Sequence, residues 1–186
     1  TGPDYGLQGL SKRLPPLEIA LPQRFVLGLH GTSRDDKLWP TEGWIALAQS
    51  LHAQGRQLLL PWGNEAEHAR AQTIAQHSAG VQVLPRLGLN ALAQVIAAAE
   101  AVVGVDTGLT HMGIALARPT VAIFGSTAPY LHAGTPQVQV LYKALPCSPC
   151  HRDPTCGGQF DCMKQITVAE VMTASAQVIG SPHPIA

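Results

Sequence analysis

The chain has 186 residues, of which 46% are hydrophobic and 13% charged, and its formal net charge is zero. This length suits one domain with a large core, and the apolar content excludes a disordered chain. The balanced charge and the lack of a stripe rich in Lys and Arg argue against a nucleic-acid-binding protein, and no apolar run approaches the length of a membrane span.

Strand and helix patterns alternate along the chain after residues 1–23, a segment without a sustained period that we expect to be a linker or arm. Strands are predicted at 24–30, 56–61, 81–84, 101–105 and 119–125. Helices are predicted at 41–54, 64–78, 89–99, 109–117 and 167–179. Residues 130–162 are predicted to be mostly loop, with one further candidate strand at 137–142. The alternation indicates an α/β fold, a Rossmann-like doubly wound sheet of about five parallel strands.

Three helix ends carry recognisable signals. Thr41 is predicted to be the N-cap of the first long helix, and Gly55 its stop. Thr167 and Glu170 have the spacing of a capping box at the start of the last helix.

The strongest functional signal is the segment 102–111, which runs Val-Val-Gly-Val-Asp-Thr-Gly-Leu-Thr-His. It predicts a buried strand, a tight turn and a helix. Ligands bind at the carboxyl ends of strands in open α/β sheets, so Asp106, Thr107 and His111 lie where a small molecule is expected. Gly108 permits close backbone approach, and the helix N–H groups favour a phosphate. The alternative is that Asp106 or Thr107 is only an N-cap and His111 a packed helix residue.

The loop 31–40 follows the first predicted strand and carries hydroxyl and basic side chains. Thr32 and Ser33 can donate to phosphate oxygens, and Lys37 can supply a compact positive charge. The alternative is a solvated loop in which Arg34 and Lys37 pair with the two aspartates between them, which contributes little stability.

The loops after the next two strands add an acidic and an apolar candidate. Glu65 and Glu67 begin a helix, where a carboxylate can either accept hydrogen bonds from ribose or only interact with the helix dipole. Trp62 is interpreted as a packing residue. Leu87 can line an adenine pocket or be buried packing. The chain has no Gly-x-Gly-x-x-Gly, Walker A or Gly-x-Ser-x-Gly motif, which argues against dinucleotide oxidoreductases, P-loop enzymes and α/β-hydrolases.

All four cysteines lie in a Cys-rich loop, residues 143–163, with the spacing Cys-x2-Cys-x5-Cys-x5-Cys. The first pair has the spacing of a zinc knuckle, so a structural zinc is one interpretation. Two disulfides and four reduced thiols are the others, and His151 is a spare candidate ligand. The residues concerned are Cys147, Cys150, Cys156 and Cys162.

Taken together, the loops 30–40, 61–63 and 105–111 resemble, in order and spacing, those of the lipopolysaccharide heptosyltransferases, glycosyltransferase family 9. The Arg-Asp-Asp-Lys-x-Trp-Pro loop is most like that of the type I enzymes, and Asp-Thr-Gly-Leu-Thr-His is the most specific part. The resemblance runs from about residue 25 to 179. It implies the C-terminal, donor-binding half of a GT-B glycosyltransferase. Mild departures from the pattern are Gly31, Ser33 in place of Thr, and Leu87 in place of Met.

The resemblance implies that the chain binds ADP-heptose and needs no cofactor. Lys37 would hold the diphosphate and stabilise the charge that develops as ADP departs, and Asp106 would bind heptose hydroxyls; these two are the implied catalytic residues. Glu67 would accept from the ribose, and Leu87 would contact adenine. The other implied donor-binding residues are Thr32, Ser33, Thr107, Gly108, Leu109 and His111.

The resemblance also implies what lies outside this chain. An N-terminal domain would bind the acceptor, Kdo–lipid A, and supply the general base, at the cytoplasmic face of the bacterial inner membrane with peripheral association. The chain starts at Thr1 without Met, so we expect a processed or excised fragment that binds ADP or ADP-heptose weakly and does not transfer heptose. The alternatives are another nucleotide-sugar glycosyltransferase of the family and a non-catalytic nucleotide- or zinc-binding module.

Overall fold

The computed structural model describes residue 7 and residues 10–129, 136–150 and 155–180. The strands are β1 (Phe25–Leu29), β2 (Gln57–Leu60), β3 (Val81–Val83), β4 (Ala101–Val105), β5 (Thr120–Phe124) and β6 (Val138–Tyr142). The helices are α1 (Leu10–Arg13), α2 (Thr41–Ala53), α3 (Glu65–His77), α4 (Leu89–Ala98), α5 (Gly108–Ala115), α6 (Asp161–Lys164) and α7 (Val168–Gly180).

The strands form one parallel sheet in the order β3-β2-β1-β4-β5-β6. This is the strand order of a doubly wound Rossmann fold, so the predicted fold class is confirmed. The candidate strand at 137–142 forms β6, and the sheet therefore has six strands rather than five. Strand order reverses between β1 and β4, which opens a crevice at their carboxyl ends.

Helices cover both faces of the sheet, and β1 illustrates how its residues alternate between them. Val26 belongs to the core on the side of α2, α3 and α7, which contains Trp44 and Val178. Leu27 belongs to the opposite core beside α4, which contains Ile96. Central strands buried on both faces explain the continuous apolar runs in the sequence.

The described part of the N-terminal segment has partners within this domain. Leu17, Ile19 and Leu21 are partly buried against the core beside α4. The amide of Gln94 donates to the carbonyl of Pro15 at 2.8 Å. In the described residues, no helix is both long enough and apolar enough to pass through a membrane.

Two of the three predicted helix-end signals are correct. Gly55 follows α2 with φ +72°, and Thr167 and Glu170 exchange capping-box hydrogen bonds at the start of α7. The prediction for Thr41 is wrong: Pro40 is the N-cap and Thr41 is the first helical residue. Proline has no N–H, which removes one of the four donors left unsatisfied at a helix start, and this helix begins without a side-chain cap.

Candidate functional site

The candidate site lies at the crevice between the carboxyl ends of β1 and β4. The loop 30–40 leaves β1 there, and the turn 106–107 connects β4 to α5. Because β1 and β4 are hydrogen-bonded neighbours, residues 69 positions apart in sequence come into contact. Topology thus unites two of the loops that the sequence marked separately.

The Asp106 carboxylate is the centre of this site. Its side chain is only 6% exposed, and Oδ2 accepts hydrogen bonds from Lys37 Nζ and from Thr127 Oγ1, each at 2.7 Å. His111 Nε2 lies 3.3 Å from Oδ1. Three elements, the loop after β1, helix α5 and the loop after β5, therefore converge on one carboxylate. We call these four residues the Asp106 cluster.

The Asp106 cluster keeps its carboxylate ionised. Burial alone would raise the pKa of Asp106, but hydrogen bonds from His111, Lys37 and Thr127, together with the charge of Lys37, lower the pKa well below its ordinary value. Asp106 is therefore an acceptor of hydrogen bonds at neutral pH and not a proton donor. The Lys37 ammonium has three N–H donors, so its contact with Asp106 leaves donors for an anionic ligand.

The start of α5 is fixed against the end of β4. The hydroxyl of Thr110, which is fully buried, donates to the carbonyl of Val105 at 2.7 Å. Thr107 is the N-cap residue, but its side chain makes no capping hydrogen bond. Helical geometry leaves the N–H groups of Gly108 and Leu109 without intrahelical acceptors, so the helix start offers donors to an anion beside the Asp106 cluster.

An apolar pocket adjoins this helix start. Predicted residues Leu87, Thr107 and Leu109 all contribute to its wall. Trp62 also lines it, fixed by donation from its indole N–H to the Leu84 carbonyl at 2.7 Å and by stacking on His68. The remaining lining residues are Leu29, His30, Gly31, Pro61, Gly63 and Leu92. A flat apolar ring fits such a wall.

The structure distinguishes between the two candidate glutamates. Glu67 is half-buried, and its Oε2 accepts from the backbone N–H of Gly63 at 2.7 Å. Its carboxyl group also lies against Gly31, where a Cβ would approach to 2.5 Å. Glu65 instead has a 90% exposed side chain that lies 4.0 Å from His68. Glu67 is therefore the carboxylate at the edge of the pocket.

In the loop after β1, the alternative of ion pairs with neighbouring aspartates holds for Arg34 but not for Lys37. Arg34 does pair with Asp36, through two hydrogen bonds from its guanidinium group, but Lys37 contacts Asp106 rather than a neighbouring aspartate. Thr32 is half-buried and Ser33 exposed. Along the chain, both stand between Gly31, which lines the apolar pocket, and Lys37 of the Asp106 cluster.

His30 was not among the predicted site residues, although the sequence places it directly after β1. It is fully buried, and its Nε2 lies 3.1 Å from the Pro61 carbonyl oxygen. Since a carbonyl only accepts, Nε2 carries the hydrogen and Nδ1 has the lone pair; Nδ1 has no partner among the described residues. Burial, with a smaller effect from Arg70, lowers the pKa of His30 to about 4. His30 is therefore neutral at neutral pH.

Thr127 was also missed. Its sequence signal is its place in Gly-Ser-Thr directly after β5, the neighbour of β4, so the sheet-edge rule that selected Asp106 applies to it equally. The sequence could not show that its hydroxyl reaches Asp106.

The four cysteines of the Cys-rich loop are free thiols, ranging from exposed Cys147 to buried Cys162. Burial raises the pKa of Cys150 and of Cys162. The charge of Asp36 raises the pKa of Cys150 further, and neighbouring cysteines raise both. Within residues 10–129, 136–150 and 155–180, however, no three His, Cys, Asp or Glu side chains are arranged to hold a metal ion. His151 lies outside the described residues. This geometry gives the predicted zinc site no support.

Comparisons with known proteins agree with the loop pattern. The family model of glycosyltransferase family 9 (heptosyltransferase) matches residues 5–159. The chain is 42% identical over 120 residues to lipopolysaccharide heptosyltransferase 1 of Escherichia coli strain K12, which covers 64% of this chain and 38% of that protein. It is 40% identical over 148 residues to lipopolysaccharide heptosyltransferase 1 of Pseudomonas aeruginosa PAO1, covering 79% and 41%.

A solved structure is similar over nearly the whole chain. Escherichia coli heptosyltransferase WaaC with ADP-2-deoxy-2-fluoro heptose has a TM-score of 0.68 and 34% identity to this chain. The match covers 93% of this chain and 48% of that one. The chain therefore spans less than half the length of these relatives.

Proposed function

Because this chain belongs to glycosyltransferase family 9, we propose that it is the ADP-heptose-binding domain of a heptosyltransferase. The observation that carries the proposal is the Asp106 cluster beside an apolar pocket and a helix start. A nucleotide sugar needs the same three features: an apolar wall for its base, donors for its diphosphate and an acceptor for its sugar hydroxyls. The structure of WaaC with an ADP-heptose analogue supports the choice of ligand.

The donor is placed by matching its parts to these features. Adenine occupies the apolar pocket against Leu87 and Leu109, and the ribose hydroxyls donate to Glu67. The diphosphate lies on the start of α5, within reach of Lys37 and of the hydroxyls of Thr32 and Ser33. The remaining donor-binding residues in this assignment are Asp106, Thr107, Gly108 and His111.

Lys37 and Asp106 then have complementary tasks in heptose transfer. As the glycosidic bond breaks, negative charge develops on the β-phosphate of ADP. The Lys37 ammonium and the N–H groups of α5 stabilise that charge. Asp106, buried and ionised, accepts hydrogen bonds from the heptose hydroxyls and fixes the sugar for attack.

The rest of the reaction involves parts outside this chain. We propose that residues 24–186 form the donor domain, with 1–23 as its arm, and that a second domain binds Kdo–lipid A and supplies the general base. The names of the relatives, lipopolysaccharide heptosyltransferases, support this acceptor class. We also propose that the whole enzyme works at the cytoplasmic face of the bacterial inner membrane, with peripheral association.

Calorimetric titration of this chain with ADP-heptose, ADP, UDP and GDP tests the donor assignment. We expect binding of the two adenine ligands only, and loss of that binding in Lys37→Ala. Lys164→Ala, which removes an exposed lysine of α6, is the matched control and should bind as the wild type does. Equal affinity for UDP or GDP would point to a different nucleotide sugar. Absence of binding to all four would overturn the proposal for this chain.

A further inference from the structure

Thr127 is a member of the Asp106 cluster that carries no charge. Its Oγ1 donates to Asp106 Oδ2 at 2.7 Å, the same oxygen and the same distance as Lys37 Nζ. The two donors differ in the freedom of their side chains. Threonine has one side-chain torsion and is β-branched, whereas lysine carries its ammonium on a flexible four-carbon stem.

The backbone that carries Thr127 is fixed from several directions. Strand β5 is paired with β4 on one side and β6 on the other. The hydroxyl of Ser148 donates to the carbonyl of Gly125, and that glycine lies against the side chains of Met163 and Cys162, so a Cβ there would approach the sulfur of Met163. The segment 125–127 is therefore held by both the sheet and the Cys-rich loop.

The contact with Asp106 occupies one of the three N–H donors of Lys37, so Lys37 can give all three to a diphosphate only by turning away from Asp106. When a donor binds, its phosphate oxygens compete with Asp106 for the ammonium. A buried carboxylate that loses a hydrogen-bond donor is free to rotate, and its burial then costs free energy that the hydrogen bond had offset. Thr127 is neutral, so a phosphate does not draw it away as strongly.

We propose that Thr127 is a positioning residue that keeps Asp106 directed at the sugar of the donor while Lys37 turns to the diphosphate. This inference rests on the proposed function, because it requires a ligand with both a diphosphate and a sugar. In this role Thr127 would act through Asp106 rather than on the nucleotide or the phosphates. Its removal should therefore weaken recognition of the sugar and leave recognition of ADP intact.

Titration of the 186-residue chain with ADP-heptose and with ADP tests this separation. Thr127→Val keeps the shape of the side chain and removes the hydroxyl. We expect it to weaken ADP-heptose binding by about tenfold, as loss of a hydrogen bond to a charged group does, and to leave ADP binding within about twofold. Thr127→Ser, which restores the hydroxyl, should recover most of the affinity. Thr173→Val, on an exposed position of α7, is the matched control.

The outcomes separate this inference from the proposed function. Equal losses for ADP and ADP-heptose in Thr127→Val, with no recovery in Thr127→Ser, would make Thr127 merely structural and overturn the inference. If the wild type binds ADP as tightly as ADP-heptose, the sugar adds no affinity, and this result would overturn the inference as well. Failure of the wild type to bind either ligand would overturn the proposed function.

Discussion

Acidification should destabilise this domain through His30 before its carboxylates begin to titrate. The folded protein holds His30 with a pKa of about 4, against 6.5 for an exposed histidine. Between these two pH values, His30 therefore binds a proton in the unfolded chain but not in the folded chain. The stability due to neutral His30 is fully present above pH 6.5 and is lost as the pH falls towards 4.

The size of the effect follows from the gap between the two pKa values. It amounts to about 3 kcal/mol once the pH is below both, and to about 2 kcal/mol at pH 5 relative to pH 7.5. Between pH 7.5 and 5, the effect of His30 on stability is separate from that of acids such as Asp106 and Glu170. Their pKa values are lowered by hydrogen bonds, so their contribution is lost only at lower pH.

Urea unfolding of the wild type and of His30→Gln at several pH values measures the effect. Glutamine can place an N–H donor near the position of Nε2 and preserve donation to the Pro61 carbonyl, but it does not titrate. We expect the wild type to lose about 2 kcal/mol between pH 7.5 and 5 while His30→Gln loses much less. The same loss in both proteins would refute the reasoning, because the protons taken up on unfolding would then belong to other groups.

Three further substitutions test local features of the fold and the pocket. Asn64→Ala removes the side chain that caps α3 by accepting from the Glu67 N–H, and should lower the free energy of unfolding in urea by about 1 kcal/mol. An unchanged unfolding midpoint would show that this cap does not stabilise the domain. Gly31→Ala places a Cβ 2.5 Å from the Glu67 carboxyl carbon, so ADP should bind more weakly in calorimetry while the melting temperature changes little. Gly104→Ala places a Cβ 2.1 Å from the Thr110 hydroxyl and should cost about 1–3 kcal/mol. Adding Thr110→Ala should recover part of that loss, and purely additive effects would contradict the clash.

Most of the fold could be predicted from the sequence because each element has a local signal. Continuous apolar runs marked the strands buried on both faces, and Gly55 and the Thr167–Glu170 pair marked helix ends. Strand β6 was only a candidate, since an edge strand is partly exposed and lacks the continuous apolar run of a central one. Pro40 was missed as an N-cap because the capping rule searches for a side-chain acceptor, and this helix starts without one.

The candidate site was predictable as a set of loops but not as a set of contacts. The rule that ligands bind at strand ends selected Asp106, His111 and Lys37 individually. This rule could not decide whether Lys37 pairs with Asp36 or with Asp106, because both are aspartates and the sequence does not show which of them lies within reach. Only the pairing of β1 with β4 brings Lys37 to Asp106.

The sequence by itself determined the class of fold, the family and the loops that face the ligand, because these depend on periodicity and on residue types at fixed spacing. The tertiary structure decided which carboxylate borders the pocket, which hydroxyl holds Asp106 and why His30 stays neutral. Each of these depends on distance and burial between residues far apart in the chain. The order of the strands in the sheet fixes such distances, and local sequence patterns do not predict that order.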